Sequence, residues 1–215
     1  MPYKAIIFDL DGTLVNSLED ISDAMNKVLL DYNYPTHSYE TYQYFIGSGL
    51  HNLVSKALPA TTNSEEQIES CFQKMISVYS ERCSIKTKPY SGIIEMLQQL
   101  KAKNLKLAVL SNKADALTKK IVAEIFPHQF DMAVGLKTEA TKKPNPFEAL
   151  EIAKNWDLKP EEILFVGDSD IDMQTAVNAK MFPVGVLWGY RTDEELKLSG
   201  AQVVIIKPQE LTSII

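Results

Sequence analysis

Cysteine is scarce in this sequence, which contains only Cys71 and Cys83 among its 215 residues. Two cysteines cannot form the dense disulfide framework of a small secreted domain. Cys71 falls on an apolar helical face, where we expect a buried core residue. Cys83 lies in a loop-like stretch, and the sequence leaves its redox state open. The low cysteine content favours a reduced protein of the cytoplasm.

The sequence also lacks excess positive charge and long apolar runs. Its 28 acidic residues outnumber 22 Lys and Arg, and the formal net charge is -6. This charge argues against a nucleic acid or an anionic membrane as a partner. The first apolar run is too short for a signal peptide and Asp9 interrupts it, and no run approaches the length of a membrane span. The hydrophobic content of 45% is ample for a core in one large domain or two smaller ones.

The sequence contains many short apolar runs. Six of them resemble buried parallel strands: "AIIF", "LKLAVL", "FDMAV", "EILFV", "PVGVLW" and "AQVVII". Apolar residues recur at helical spacing between several of these runs, and alternating strands and helices are typical of α/β proteins. We therefore predict a Rossmann-like, doubly wound parallel sheet with flanking helices.

The stretch from about residue 16 to residue 85 has a different pattern. It contains helical periodicity but no strand-like run, and Ser17 with Asp20 resembles a capping box at the start of a helix. This pattern predicts an all-helical cap domain inserted into a discontinuous core. The predicted domains are the α/β core at 1–15 and 86–215 and the cap at 16–85.

Polar residues follow three of the strand-like runs, at the ends where open parallel sheets bind ligands. They are Asp9, Asp11, Gly12 and Thr13 after the first run, Ser111, Asn112 and Lys113 after the second, and Asp168, Ser169 and Asp172 after the fourth, with Lys142 and Lys143 between the second and third groups. Asp9, Asp11 and Asp168 supply the hard oxygen ligands that suit Mg²⁺. Lys143 and Ser111 could bind a phosphate, and Gly12 permits a tight turn whose neighbouring amides can face an anion.

Each of these groups alone has an ordinary explanation: a solvated strand end, a surface lysine or a helix N-cap. Their occurrence in order at strand ends is what indicates a site. The stretches "FDLDGTLVNS", "LAVLSNK", "KKPNP" and "VGDSDIDMQTA" resemble the four motifs of the haloacid dehalogenase-like superfamily. The stretches "FIGSGLHNLV", "GVLWGYRT" and "SGAQVVIIKPQEL" resemble its phosphoglycolate phosphatase-like branch.

The resemblance implies a Mg²⁺-dependent phosphomonoesterase that acts through a phospho-aspartate on a small phosphorylated metabolite, with phosphoglycolate as the first candidate. The implied roles are nucleophile and metal ligand for Asp9, general acid/base and metal ligand through its backbone carbonyl for Asp11, metal ligand for Asp168, phosphoryl contacts for Ser111 and Lys143, support of the loop for Thr13, and support of the site for Asp172 and Ser169. Gly12, Thr13 and Asn112 are further candidates for substrate binding. Two points stay open: the family often has Asp where this chain has Asn16, and Lys142 could compete with Lys143.

The predicted cap contains one stretch suited to binding a leaving group. Gly47, Ser48 and Gly49 precede an apolar helical pattern, so the amides of a helix start could bind an anionic or hydroxyl-rich group. A plain turn is the alternative. For the whole protein, the alternatives are a hexose-phosphate mutase of the same fold and a receiver or binding protein without steady turnover. The sequence leaves the oligomeric state open, monomer or homodimer.

Overall fold

Helices and strands alternate along most of the chain in this computed structural model, which describes residues 3–62 and 64–215. The strands are β1 (Ala5–Phe8), β2 (Val15–Asn16), β3 (Lys88–Pro89), β4 (Lys106–Ala114), β5 (Met132–Leu136), β6 (Ile163–Gly167), β7 (Phe182–Val186) and β8 (Val203–Ile205). The α-helices are α1 (Leu18–Asp31), α2 (Tyr39–Phe45), α3 (Gly49–Ala57), α4 (Glu65–Ser80), α5 (Ile93–Ala102), α6 (Asp115–Ile125), α7 (Phe147–Asn155), α8 (Asp170–Asn178) and α9 (Asp193–Leu198), and short 3-10 helices lie at Glu139–Thr141, Pro160–Glu162 and Pro208–Ser213.

The main sheet has six strands in the order β5-β4-β1-β6-β7-β8. All its neighbouring strands are parallel. Each run predicted as a strand overlaps one of these six strands, so the predicted fold class is confirmed. The chain passes from β1 to β4 and β5 on one side and to β6, β7 and β8 on the other. The direction of winding therefore changes at β1, and ligands bind at such switch points in open α/β sheets.

Burial of both sheet faces explains why the strands have almost uninterrupted apolar sequences. All four residues of β1 are buried, and Ala5 pairs with Lys106 of β4 and Ile163 of β6. On one face, β1, β4 and β6 pack with α7 and α8 in a single apolar cluster that includes Ile7, Trp156 and Phe165. This packing holds the carboxyl ends of three neighbouring strands at one edge.

The chain divides into two compact units. The core unit comprises Met1–Asn16 and Pro89–Ile215, and the insert unit comprises Ser17–Lys88. Helices α1 to α4 belong to the insert unit, whereas the main sheet and α5 to α9 belong to the core unit. Residues 1, 2 and 63, which the sequence-based domains include, lie outside the described part of the chain. Among the described residues, no helix has the length and apolar character needed to cross a membrane.

Within the insert unit, α1 packs against α2 and α4, and α3 packs against the same two helices. Cys71 and Cys83 are both buried thiols here. The predicted capping box is wrong, because Ser17 makes no capping hydrogen bond. The carboxylate of Asp20 instead accepts hydrogen bonds from the backbone N–H groups of Lys86 and Thr87, at 2.9 and 2.8 Å, and from the Thr87 hydroxyl at 2.8 Å. These partners are distant in sequence, so local pattern cannot reveal them.

Candidate active site

Asp9 lies directly after β1, at the carboxyl end of the central strand. Its backbone N–H donates to the carbonyl of Val166 at 2.9 Å, so the main-chain pairing with β6 continues one residue beyond Phe8. The turn that follows closes on itself: the Gly12 amide donates to the Val15 carbonyl and the Thr13 amide to the Leu10 carbonyl. These two amides, which we expected to face an anion, are therefore used inside the turn.

Lys143 lies in the site and Lys142 does not. The ammonium of Lys143 donates to Asp9 Oδ1 at 2.7 Å, to Asp172 Oδ1 at 2.7 Å and to the Leu110 carbonyl at 3.1 Å. All three of its N–H bonds are thus used. Burial by itself lowers the pKa of Lys143, but the charges of Asp172 and Asp9 and the hydrogen bonds to them raise it above its ordinary value. Lys142 instead pairs with Glu139 at 2.9 Å.

Asn112 positions the main chain of Lys143. Its side-chain Nδ2 donates to the Lys143 carbonyl at 3.1 Å, and its Oδ1 accepts from the Lys143 backbone N–H at 2.9 Å. The sequence assigned Asn112 to substrate binding, whereas its side chain here bonds to the loop that presents Lys143. This interaction joins the end of β4 to a segment about thirty residues further along the chain.

Asp168 follows β6 and is buried between two loops. Its Oδ1 accepts from the Thr13 hydroxyl at 3.0 Å and its Oδ2 accepts from the Tyr190 backbone N–H at 2.9 Å. Gly12 has a φ of +90°, and a Cβ there would lie 2.3 Å from Asp168 Oδ2. Gly12 and Thr13 therefore shape the environment of this carboxylate, a role that differs from the substrate contact expected of them.

The loop after β7 is a part of the site that sequence reasoning missed. Trp188 Nε1 donates to the Thr13 carbonyl at 2.9 Å, next to the contact between Tyr190 and Asp168. A Cβ on Gly189 would lie 2.3 Å from the Cβ of Asp168. A signal was present, because "PVGVLW" is itself a strand-like run and this loop follows its carboxyl end.

Asp172 and Ser169 form the capped start of α8. The Ser169 hydroxyl and backbone N–H donate to Asp172 Oδ2 at 2.6 and 3.1 Å, and the backbone N–H of Asp172 in turn donates to the Ser169 hydroxyl. The other oxygen of Asp172 accepts from Lys143 at 2.7 Å. The capping box fixes the carboxylate while it holds the ammonium, which matches the supporting arrangement expected of these two residues.

Three buried carboxylates, those of Asp9, Asp168 and Asp172, place ligand oxygens within 4.8 Å of one another. Burial raises the pKa of Asp9 well above its ordinary value, and the nearby charge of Asp172 raises it further. Burial and then the charge of Asp172 raise the pKa of Asp168 to about 7. Negative charges this close are costly without a counter-charge, and a hard divalent cation suits an all-oxygen set.

Asp11 is not a member of this cluster of three carboxylates, and its side chain contacts a different lysine. Its Oδ1 accepts from the ammonium of Lys113 at 2.6 Å, a partner that the sequence did not identify. Ser111 is buried, and its hydroxyl accepts from the Lys113 backbone N–H at 3.2 Å. The strand β4 continues to Ala114, so Ser111 and Asn112 belong to the strand and not to a helix N-cap. Together with Lys143, Lys113 brings two ammonium groups to face the four carboxylates of the site.

The structure places Gly47, Ser48 and Gly49 in the insert unit, at the start of α3. The φ angles of Gly47 and Gly49 are +117° and +79°, values that favour glycine, so the geometry accounts for both glycines locally. Asn16 is the exposed last residue of β2.

Comparisons with known proteins agree with this geometry. The model of the haloacid dehalogenase-like hydrolase family matches residues 6–186. The phosphoglycolate phosphatase of Aquifex aeolicus is 37% identical over 188 residues, which cover 87% of this chain and 86% of that protein. The phosphoglycolate phosphatase of Nitrosospira multiformis is 30% identical over 220 residues, which cover 100% of this chain and 96% of that protein.

A solved structure shows the same likeness in three dimensions. The protein from Lactobacillus delbrueckii subsp. bulgaricus, provisionally named a phosphoglycolate phosphatase, superposes with a TM-score of 0.93 at 30% identity, covering 100% of this chain and 99% of its own. The family match thus extends from β1 to the end of β7, over the strands whose ends supply the acidic residues. The chain therefore belongs to the haloacid dehalogenase-like hydrolases, in their phosphoglycolate phosphatase-like branch, and it is a phosphatase.

Proposed function

We propose that this phosphatase is a Mg²⁺-dependent phosphomonoesterase that hydrolyses a small phosphorylated metabolite, with phosphoglycolate as the first candidate. The observation that carries the proposal is the surroundings of Asp9. This buried carboxylate ends the central strand, lies 2.7 Å from the Lys143 ammonium and shares a cluster with Asp168 and Asp172. The names of the relatives from Aquifex aeolicus and Nitrosospira multiformis support the choice of substrate.

The donor set fits a divalent cation. Asp9 and Asp168 would hold Mg²⁺ together with the backbone carbonyl of Asp11, as the family resemblance implies, and Asp172 lies close to both carboxylates. Four carboxylates face two ammonium groups in the site, and the positive charge of Arg191 also acts on Asp168. The ionised acids still outnumber these cations, and a divalent cation would offset the excess. When bound, Mg²⁺ would draw negative charge from the phosphoryl oxygens and lower the barrier to attack.

The proposed reaction has two steps. An oxygen of Asp9 attacks phosphorus, the ester bond breaks, and Asp11 gives a proton to the leaving alkoxide, so that a phospho-aspartate forms. Asp11 then takes a proton from the water that attacks this intermediate, and inorganic phosphate leaves with Asp9 restored. Lys143 and the Ser111 hydroxyl would stabilise the charge on the phosphoryl oxygens in both steps.

We propose that the insert unit is the cap and that Gly47, Ser48 and Gly49 contact the leaving group. The support is the sequence pattern together with the observed start of α3 at this point, where a helix N-terminus can bind an anion. We also propose that the protein works in the cytoplasm, since both cysteines are buried thiols. Gly49→Leu, which puts a bulky side chain beside these amides, should slow hydrolysis of phosphoglycolate but spare acetyl phosphate; equal effects on both substrates would remove the cap contact from the proposal.

A hydrolysis screen of the purified protein tests the main proposal. It compares phosphoglycolate, sugar phosphates, nucleoside monophosphates and pyrophosphate, with Mg²⁺ and with excess chelator. We expect phosphoglycolate to be hydrolysed fastest and only with Mg²⁺. Asp9→Asn keeps the shape of the side chain but removes the nucleophile, so kcat should fall by about three orders of magnitude or more. Near-normal turnover of Asp9→Asn, or full activity in chelator, contradicts the mechanism, and a sugar bisphosphate product would indicate a mutase.

A further inference from the structure

Lys113 is a buried cation that the proposed reaction does not yet use. Its ammonium lies 2.6 Å from Asp11 Oδ1. The side chain of Lys113 is 2% exposed and that of Asp11 is 12% exposed, so this ion pair is largely withdrawn from water. Asp11 is the proposed proton donor and acceptor, and Lys113 therefore contacts the one acid whose orientation matters for proton transfer.

The backbone around Lys113 is irregular in a way that directs its side chain. Leu110 of β4 pairs with Val134 of β5, but Ala114 pairs with Leu136, so four steps along β4 match two along β5. Such a bulge re-aims side chains, and bulges are common beside active sites. It is the residues of this bulge, 111–113, that contribute to the site.

Specific contacts hold the bulge in place. The Thr118 hydroxyl donates to the carbonyl of Lys113 at 3.1 Å, and the backbone N–H of Lys113 donates to the Ser111 hydroxyl at 3.2 Å. Across the bulge, Gly135 donates to Asp115 Oδ1 at 3.0 Å, and a Cβ on Gly135 would lie 2.7 Å from the Lys113 carbonyl. These contacts fix the main chain of Lys113 on both sides. The side chain therefore starts from a defined backbone position, which limits where its ammonium can lie.

A contribution to the stability of the fold does not by itself explain the buried ion pair between Lys113 and Asp11. Taking two charges out of water costs about as much as their attraction returns, and apolar residues of similar volume often serve as well. Orientation is a better reason, because a catalytic acid or base commonly needs a further group that holds it in a productive direction. Lys113 binds Oδ1 of Asp11 at 2.6 Å, and such a contact restricts the rotation of the carboxylate.

We propose that Lys113 is the positioning residue for Asp11, holding Oδ1 so that Oδ2 exchanges the proton with the leaving oxygen and then with the attacking water. The inference rests on the proposed acid–base role of Asp11. In this role Lys113 does not itself touch the substrate. Its removal should therefore harm those steps that need Asp11 and leave others nearly unchanged.

The test is a series of substrates with increasingly poor leaving groups: acetyl phosphate, p-nitrophenyl phosphate, phenyl phosphate and phosphoglycolate. The measured quantity is kcat/KM, which reports the formation of phospho-Asp9 and not its hydrolysis, a step common to all substrates. An activated leaving group needs little help from a proton, so Lys113→Met should lower its kcat/KM by no more than about threefold, whereas phosphoglycolate should lose about tenfold to a hundredfold. Lys113→Arg keeps the charge and should restore part of the activity, chiefly with the poor leaving groups.

Asp11→Asn and the double variant separate this inference from the acid–base role. We expect Asp11→Asn to show the same graded loss, and Lys113→Met to add little to it, because residues that act together are not additive. A graded loss in Asp11→Asn with a uniform loss in Lys113→Met overturns the positioning role alone. A uniform loss in Asp11→Asn overturns the acid–base role and the inference with it.

The control is Lys197→Met, which removes a surface ion pair to Asp193 at 2.8 Å and should leave every substrate unaffected. Thermal denaturation of each variant shows whether it is folded. If Lys113→Met does not fold, Lys113→Gln takes its place: a loss confined to the poor leaving groups supports positioning, and an equal loss or no loss across the series overturns it.

Discussion

Lys142 and Lys143 are neighbours in the sequence, yet their surroundings differ completely. Lys143 is buried, with Asp9 and Asp172 each 2.7 Å from its ammonium, whereas Lys142 pairs with Glu139 near the surface. Surface ion pairs of this kind contribute little to stability. The sequence offered both lysines as phosphate ligands, and the surroundings of the two ammonium groups favour Lys143.

Lys143→Met should therefore be far more damaging than Lys142→Met. Loss of the buried ammonium removes a cation beside the phosphoryl group, so kcat should fall by about a hundredfold or more. It also leaves two carboxylates without their cation, which should destabilise the fold by about 3–5 kcal/mol. Steady-state kinetics and thermal denaturation measure both effects. Equal losses in the two variants would exclude the proposed role of Lys143.

At the scale of elements, the site depends on loops that approach one another closely after β1, β6 and β7. Glycines make this approach possible. A Cβ on Gly12 or Gly189 would lie 2.3 Å from an atom of Asp168, and one on Gly167 would lie 2.2 Å from the Cβ of Asp172. The loops therefore have no room for a larger residue at these points, and the positions of the carboxylates depend on the backbone beside them.

Gly189→Ala should displace Asp168 and weaken Mg²⁺ binding. The new methyl group would also lie 2.4 Å from the Gly12 carbonyl, so the backbone must move, at a cost of about 1–3 kcal/mol for such overpacking. The matched control is Gly185→Ala in β7, whose methyl group meets only side chains, the nearest being Leu196 at 3.0 Å. Titration of activity with Mg²⁺ distinguishes them. The prediction is wrong if both variants require the same Mg²⁺ concentration.

At the scale of the whole molecule, the net charge of -6 repels an anionic substrate. The site itself crowds buried carboxylates together, and burial and the charge of Asp172 raise the pKa of Asp168 to about 7 from an ordinary value of 3.8, so the ionised form of Asp168 is unfavourable without a cation. A bound cation would offset both. The receiver alternative does not fit the whole chain, since the family of hydrolases matches residues 6–186, across both units.

Without metal, the protein should become less stable as the pH rises. Between 3.8 and about 7 the folded protein keeps a proton on Asp168 that the unfolded chain releases. The stability from that proton is complete below 3.8 and is lost as the pH rises through about 7. In chelator, the Tm should therefore fall from about pH 5 to about pH 8.

Excess Mg²⁺ should remove most of this fall, because the cation favours the ionised carboxylates. At a hundred times its Kd it should stabilise the folded state by about 2.7 kcal/mol. Thermal denaturation across the pH range, with chelator and with Mg²⁺, measures the difference. Asp168→Asn is the control and should lose both the pH-dependent fall and the stabilisation by metal. Parallel pH curves with and without Mg²⁺ would show that Asp168 is not part of the metal site.

The sequence by itself determined the fold class and the set of acidic residues. Six apolar runs predicted six parallel strands, because burial on both faces leaves an almost uninterrupted apolar signature. Asp9 and Asp168 became candidate site residues because ligand-binding residues follow strand ends, which a linear pattern can show. Lys143 was preferred to Lys142 because it directly precedes Pro144. The motifs at those ends also indicated the family.

Only the tertiary structure decided which side chains face one another. The pair of Lys113 and Asp11 spans 102 residues of sequence, and Asn112 meets Lys143 across 31 residues. The carboxylate of Asp20 likewise accepts a hydrogen bond from Thr87, and not from Ser17 at the start of its own helix. Such contacts depend on where strands lie in the sheet and on how a bulge turns the backbone. A local sequence pattern depends on residues that are a few positions apart. It therefore cannot predict a distant partner that packing brings within hydrogen-bond distance.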